Sequence, residues 1–201
     1  MFKFDNIEVV KTSQLPKSLK SLDIKKLYAV GNLKLLSSKC ASVAGSRQIK
    51  PSGIKWLNAM IPQCSGYSIV SGLALGADKF AHHAALRSGI PTIAVLPSGI
   101  NNITPKRHIK LARRIVRDGG LLLSEYEPSS GPNRDRYIRR NHLIASLGDF
   151  LLMPQCDEHS GTMHTVRYAG KQDKYIVLPN SNYSGNQYII NNPDEFKTLI
   201  K

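Results

Sequence analysis

Short apolar runs separated by glycine-containing turns dominate the chain from residue 41 onward. Runs this short suit strands buried on both faces of a sheet. Between them lie stretches with helical spacing, such as the one opened by Pro51, which places Ile54, Leu57 and Ile61 on one face. The predicted strands are residues 41–44, 67–70, 92–96, 121–123, 150–153 and 175–178.

Strands that alternate with helices predict an α/β fold, here a Rossmann-like, mostly parallel sheet with helices on both faces. We expect residues 41–201 to form this domain. Residues 1–40 contain eight lysines, no arginine and an apolar piece at 27–30, and we expect an N-terminal arm packed on the domain. Ligands bind such sheets at the carboxyl ends of the strands, so the loops that follow the strands are the candidate functional regions.

The charge of the chain adds a first functional clue. Its 28 Lys and Arg residues outnumber 14 Asp and Glu residues, which gives a formal net charge of +14. A polyanionic partner explains such a surplus, because a basic surface releases counterions from phosphates. A basic surface that serves only solubility explains it as well, so the charge leaves both interpretations open.

Other residue patterns exclude several classes of protein. Three scattered cysteines predict neither a disulfide framework nor a zinc site, and the histidines lack metal-ligand spacing, so we expect no metal and no cofactor. No apolar run approaches the roughly 18 residues of a membrane span, and the N-terminus lacks a signal-peptide pattern. We therefore expect a cytoplasmic protein without a membrane partner.

Three loops that follow predicted strands contain small residues, whose backbone N–H groups can approach an anion closely. They are Gly45-Ser46, Ser71-Gly72 and Ser160-Gly161-Thr162, and Arg47 adds a planar donor fork suited to phosphate. A tight turn explains any one loop, but together they predict a phosphate site. Neither GxGxxG nor GxxxxGK[ST] occurs, which excludes nicotinamide-dependent redox chemistry and P-loop hydrolysis.

A basic helix is predicted over residues 105–117, with an apolar side that should face the sheet. Its first residues, Lys106 and Arg107, lie nearest the strand ends and are candidate DNA contacts. The basic residues of this helix form a stripe along its outer side: Lys106, Lys110, Arg113, Arg114 and Arg117. Exposure to solvent alone explains the rest of this stripe equally well.

A second basic segment, residues 134–142, interleaves arginines with Tyr137. Arginines suit phosphates, and a tyrosine ring offers a stacking face to an unpaired base. The combination favours single-stranded over duplex nucleic acid, and no motif for reading the major groove is present.

These segments, in order, resemble motifs of the DprA/Smf family of DNA-processing proteins. Residues 43–47 resemble V-G-S-R, residues 70–86 V-S-G-L-A-x-G-x-D-x-x-A-H-x-x-A-L, and residues 92–99 T-I-A-V-L-x-x-G. Further matches are residues 123–126 with L-S-E-[YF], 137–147 with F-x-x-R-N-R-I-I-A-x-L, and 160–162 with S-G-[ST]. The resemblance runs from about residue 27 to residue 180.

The resemblance implies a Rossmann-like domain that binds single-stranded DNA, assists RecA during transformation or recombination, and forms a homodimer. It also implies that the chain is a minimal version, limited to the family's core domain. By resemblance Arg47 and Lys106 contact phosphates, although Thr104-Pro105 stands where the family has Tyr-Pro. His142 replaces the second arginine of the R-N-R motif. The candidate DNA or phosphate contacts are Gly45, Ser46, Arg47, Ser71, Gly72, Gly99, Lys106, Arg107, Arg139, Arg140, Asn141, Ser160, Gly161 and Thr162.

An enzyme is the main alternative. The LOG-type nucleotide phosphoribohydrolases carry P-G-G-x-G-T-x-x-E in the late loop, and here Thr165 stands in place of the glutamate. Threonine cannot supply the carboxylate that this chemistry needs, so we expect no catalytic residue. A nucleotide-sensing module that retains the phosphate site without catalysis stays open as a third interpretation.

Overall fold

The computed structural model describes residues 3–201, and fifteen longer elements organise that part of the chain. The strands are β1 Glu8–Val10, β2 Leu27–Gly31, β3 Cys40–Val43, β4 Ser68–Ser71, β5 Thr92–Leu96, β6 Leu121–Ser124, β7 Phe150–Leu152, β8 Ile176–Leu178 and β9 Thr198–Ile200. The α-helices are α1 Pro51–Met60, α2 Ala77–Arg87, α3 Ile109–Arg117, α4 Arg134–Leu147, α5 Thr162–Lys171 and α6 Ser184–Asn191.

The nine strands of the described chain form one sheet in the order β1-β2-β6-β5-β4-β3-β7-β8-β9. Pairs from β6 through β9 are parallel, and only the pairs β1–β2 and β2–β6 are antiparallel. The prediction of a mostly parallel α/β sheet is confirmed, and all six predicted strands are present, with ends shifted by at most one residue.

The chain reverses its direction across the sheet at β3. Strands β4, β5 and β6 follow β3 outward on one side, and β7, β8 and β9 lie on the other side. Right-handed crossovers then require helices on opposite faces. Accordingly, alternate residues of β5 face different helices: Ala94 and Leu96 pack in a cluster with residues of α3, and Ile93 and Val95 with residues of α4.

The segment for which an N-terminal arm was predicted contributes two strands to the sheet. Its described part adds β1 and β2 to the sheet, with Ala29 paired to Leu123 of β6. Apolar side chains of this segment, such as Leu15 and Leu19, join the hydrophobic cluster that covers β4 and β5.

The basic helix predicted over 105–117 is also present. It begins as a 3-10 turn, Lys106–His108, and continues as α3. Leu111, Ala112 and Ile115 are buried against the sheet, which confirms the predicted apolar side. Helices α4 and α6 were not predicted, and α4 lies directly above the strand ends where the candidate site forms.

Candidate nucleic-acid interface

A pocket of about 820 Å³ opens at the carboxyl ends of β3 and β7, where the sheet reverses direction. Three segments form its walls: residues 43–48 after β3, the first half of α4, and residues 157–165 after β7. Ala74 and Asp78, which follow β4, complete it. This switch point is where open α/β sheets place their ligands.

The loop after β3 is held tightly in the pocket wall. A Cβ on Gly45 would approach the Cβ of Ala77 to 2.7 Å, so the close packing requires glycine. The N–H of Ser46 donates to the carbonyl oxygen of Gln155 at 2.9 Å, and Ser46 Oγ accepts from the N–H of Gln48 at 3.1 Å. The expectation that the N–H of Ser46 is available to an anion is therefore wrong. The main group that this loop offers a ligand is the side chain of Arg47.

The side chain of Arg47 is exposed at the pocket. Its guanidinium carbon lies 5.1 Å from the ring centroid of Tyr137, a half-buried residue of α4. The guanidinium carbon of Arg140 lies 5.8 Å from the same centroid. A positive charge beside an aromatic face combines the two contacts that single-stranded nucleic acid offers, a phosphate and a base.

Arg140 itself is buried, with only 4% of its surface exposed. Its guanidinium donates to the carbonyl oxygens of Gly72 and Val95, the latter at 3.0 Å, and lies 4.0 Å from the carboxylate of Asp78. Burial lowers the pKa of Arg140, and the carboxylate of Asp78 opposes that shift. Arg140 thus ties α4 to the ends of β4 and β5, and it places a largely buried, fixed positive charge in the pocket lining.

The loop Ser71-Gly72 belongs to the same framework. Ser71 Oγ donates to the carbonyl oxygen of Val43 at 2.9 Å, and the N–H of Gly72 donates to Asp78 at 3.1 Å. A Cβ on Gly72 would overlap the guanidinium of Arg140. The prediction of free anion-binding donors in this loop is wrong, because its polar groups are used inside the protein.

The third loop does line the pocket. Ser160 and Gly161 precede α5, and Thr162 is its first residue, so the positive end of this helix lies at the pocket wall. A Cβ on Gly161 would meet no atom within 4 Å, which shows open space at this point. Ser160 Oγ lies 3.2 Å from the thiol of Cys156, whose pKa burial raises to about 11.

Asn141 joins these groups, whereas six candidates lie outside the pocket lining: Ser71 and Gly72, described above, and four others. Asn141 Oδ1 accepts from Arg140 Nε at 3.1 Å, and its side chain lines the pocket. The N–H of Gly99 donates to the carbonyl oxygen of Ser130 at 2.9 Å, so this buried glycine packs under the loop after β6. Arg139 pairs with Glu125 at 3.0 Å. The other two outlying candidates, both exposed at the start of α3, are Lys106 and Arg107.

The structure adds lining residues that the sequence interpretation did not single out. Arg134, at the start of α4, belongs to the basic segment 134–142, and His159 and His164 flank the Ser160-Gly161-Thr162 motif. Their position next to recognised motifs was the available signal. The lining thus contains three arginines, at positions 47, 134 and 140, and two carboxylates, at positions 78 and 157. The carboxylate of Asp78 already accepts hydrogen bonds from the N–H groups of Gly72 and Ala74.

Neither a metal-binding cluster nor a membrane-spanning helix is present in residues 3–201. Within that range, no group of three or more His, Cys, Asp or Glu side chains is arranged to hold a metal ion. No helix in the same residues has both the length and the apolar character needed to cross a membrane.

Comparison with known proteins places the chain in a family. The chain matches the family described as DNA recombination-mediator protein A over residues 6–194. Protein Smf of Escherichia coli is 36% identical over 156 residues, which cover 76% of this chain and 42% of that protein. The chain therefore spans less than half the length of this relative.

Two solved structures share the whole architecture. The X-ray structure of DNA processing protein A from Streptococcus pneumoniae has a TM-score of 0.88 at 28% identity and covers 98% of this chain and 71% of that one. DNA processing protein A from Helicobacter pylori, described for its unique single-stranded DNA binding mode, has a TM-score of 0.86 at 28% identity and covers 97% and 91%. Because the family match and both superpositions extend over almost all of its length, the chain belongs to the DNA recombination-mediator protein A family, as the motifs in its sequence predicted.

Proposed function

We propose that this chain binds single-stranded DNA in the pocket between β3 and β7 and acts in DNA processing and recombination. The observation that carries the proposal is Arg47 beside the ring of Tyr137, at a positively lined pocket on the switch point of the sheet. The Helicobacter pylori relative, described for single-stranded DNA binding, supports it.

The pocket offers separate partners for the phosphates and for the bases. Arg47 and Arg134 are exposed and suit phosphates, together with the start of α5 at Gly161 and Thr162. The N–H of Ser160 donates to the carbonyl oxygen of Asp157 at 3.0 Å, so this residue offers a phosphate its hydroxyl alone. Tyr137 suits an unpaired base, which a concave wall admits only when the base is not stacked within a duplex. Gly45 and Arg140 hold this arrangement in place.

The other candidates act at a distance from the pocket. Ser71, Gly72 and Gly99 shape the strand ends through their buried hydrogen bonds. Arg139 joins α4 to the loop after β6 through Glu125. Lys106 and Arg107 are exposed and serve as outlying phosphate contacts.

We propose that the chain binds DNA without catalysing a reaction. Thr165 stands at the position of the hydrolase glutamate, and it is buried with 1% of its surface exposed. RecA as a partner rests on the family likeness alone, and a cytoplasmic location stays a prediction from the sequence pattern. A homodimer is supported by apolar side chains exposed on the two edge strands: Val9 of β1, and Leu199 and Ile200 of β9.

Fluorescence anisotropy with a labelled oligothymidylate and a matched duplex tests the DNA proposal. We expect tighter binding of the single strand, with an affinity that falls as salt rises. Arg47→Ala should lower the magnitude of the log–log salt slope by about 0.7, the value of one lost phosphate contact. Arg167→Ala is the matched control, because Arg167 is an exposed arginine 5.9 Å from the ring of Tyr188 and outside the pocket lining.

Absence of single-strand binding by the wild-type chain at low salt would refute the proposed function. Equal binding by the Arg47 and Arg167 variants would refute only the assignment of Arg47. Displacement of the strand by an equimolar nucleoside monophosphate would favour a nucleotide-sensing module instead.

A further inference from the structure

A long acid-free stretch of the chain contributes no residue to the pocket lining. Residues 79–117 contain eight of the 28 Lys and Arg residues and none of the 14 Asp and Glu residues. Most of this stretch folds into α2, β5 and α3, and its cations lie on α2, on the 3-10 turn Lys106–His108 and on α3. They are Lys79, Arg87, Lys106, Arg107, Lys110, Arg113, Arg114 and Arg117.

Part of this set forms one surface, which we call the α2–α3 face: Lys79, His83, Lys106, Arg107, Lys110 and Arg114. Lys79 and His83 lie one turn apart on α2 and therefore share a side of that helix. Burial lowers the pKa of His83, and so do the positive charges of Lys79 and Arg114, which come from α2 and α3 respectively. The two helices thus present their positive groups close to one another.

The loop after β4 connects this face to the pocket. His108, between Arg107 and the start of α3, contacts the carbonyl oxygen of Leu73 through Nδ1 at 2.8 Å. The next residue, Ala74, lines the pocket. The nearest acid in sequence, Asp78, is buried and accepts hydrogen bonds from this same loop. A ligand that leaves the pocket over Ala74 therefore meets Lys79 and the start of α3 without passing an exposed acid of this loop.

The charge of the α2–α3 face is not explained by ion pairs within the protein. In residues 3–201 no acidic side chain forms a salt bridge with Lys79, Lys106, Arg107 or Lys110. Arg114 pairs with Asp118 at 3.2 Å, at the far end of α3. Clustered like charges repel one another in the folded state, so an anionic ligand gives this cluster a physical reason.

We propose that a single strand bound in the pocket continues over the loop after β4 and across the α2–α3 face, which neutralises phosphates outside the pocket. The inference rests on the proposed function and extends it, because it makes the binding site longer than the pocket. The contacts are to phosphates, so this part of the site is independent of base sequence.

The expected size of the effect follows from the number of cations. At about 1.5 Å per residue, α2 and α3 are roughly 16 and 14 Å long, which is room for several phosphates. Each neutralised phosphate of a single strand contributes about 0.7 to the salt slope, so three cations contribute about 2. A fourfold rise in salt would then weaken binding of a long strand by about twentyfold more than binding of a short one.

Two triple variants with equal charge test the proposal. Lys79→Gln, Lys110→Gln and Arg114→Gln together remove three cations from the α2–α3 face, and Arg117 stays paired with Asp118 at 2.8 Å. Lys20→Gln, Lys25→Gln and Lys26→Gln remove three exposed cations from the N-terminal segment. Anisotropy is measured over a salt series with oligothymidylates of about 6 and about 20 nucleotides.

We expect the α2–α3 variant to lose about 2 from the salt slope with the long strand and to bind the short strand as the wild type does. The N-terminal variant should bind both lengths like the wild type. A wild-type slope for the α2–α3 variant with the long strand would overturn the extended site and leave the pocket intact. An equal loss in both triple variants would overturn it too, since general charge would then explain the effect. Failure of the wild type to bind either length refutes the proposed function itself.

Discussion

Replacement of Arg140 by methionine separates a framework role from a ligand contact. Methionine fills a similar length but has no donor, so the carbonyl oxygens of Gly72 and Val95 lose their partner in a buried place. Each unsatisfied buried carbonyl costs about 1–3 kcal/mol. Asp78 also loses the guanidinium 4.0 Å away. We therefore expect the free energy of unfolding to fall by about 3–5 kcal/mol, the range for breaking a buried charge pair.

Urea denaturation followed by circular dichroism measures this loss, and thermal unfolding provides a second readout. In a domain of this size 1 kcal/mol shifts the melting temperature by about 2–4 °C, so Arg140→Met should lower it by roughly 6–20 °C. The matched control is Arg134→Met, an exposed position on the same helix, which should change stability by less than about 0.5 kcal/mol. If Arg140→Met kept wild-type stability and lost single-strand binding, Arg140 would be a ligand contact and the framework argument would be wrong.

Three other perturbations give contrasting results. Gly72→Ala should destabilise the fold by more than about 1 kcal/mol because its Cβ overlaps a buried guanidinium, whereas Gly161→Ala has open space and should unfold at or slightly above the wild-type urea midpoint. Burial lowers the pKa of His82 from 6.5 to about 3, so the unfolded chain takes up a proton that the folded chain does not, and stability falls as pH drops from 6.5 toward 3. Between pH 6.5 and about 4.5 this effect lowers the free energy of unfolding by about 2–3 kcal/mol, and His82→Gln should abolish that part of the pH dependence. Urea titrations over this pH range measure it, and a variant with the pH dependence of the wild type would contradict the assignment to His82. Burial raises the pKa of the Cys40 and Cys156 thiols to about 11. A thiol-reactive dye should therefore label both cysteines slowly in the native protein at pH 7 and fast in urea. Fast labelling of the native protein would contradict their burial.

The sequence predicted the strands well where both faces of the sheet are covered. Buried parallel strands read as continuous apolar runs, and β5, Thr92–Leu96, matches its predicted bounds. The edge strand β9 was missed because three residues with mixed exposure leave no period to detect. Helix α4 was missed because its first half is exposed and charged, and its buried apolar residues, such as Leu143 and Leu147, are confined to its end.

The candidate site was predicted in part. Gly45, Arg47 and residues 160–162 meet at one pocket because they follow β3 and β7, and the rule that ligands bind at strand ends anticipated this. The rule does not say which two strands flank the switch point. Gly99 and Lys106 were therefore grouped with the pocket, although they follow β5 and lie outside the pocket lining. The burial of Arg140 was not predictable from its own segment, because the carbonyl groups that bury it come from β5 and the loop after β4.

The contact between Arg47 and Tyr137 bears on how a strand would enter the pocket. Arg140 is fixed near the Tyr137 ring by backbone carbonyls, whereas the side chain of Arg47 is exposed and its guanidinium carbon lies 5.1 Å from the same ring centroid. A cation beside an exposed ring contributes about 0.5–1 kcal/mol, and a base stacked on an aromatic side chain contributes about 1–3 kcal/mol. A base that stacked on the ring in place of Arg47 would therefore gain more than the protein loses, and the released guanidinium would be available to a phosphate of the strand. In the free protein the ring keeps Arg47 at the pocket, so the residue needs little reorganisation before it can bind the strand.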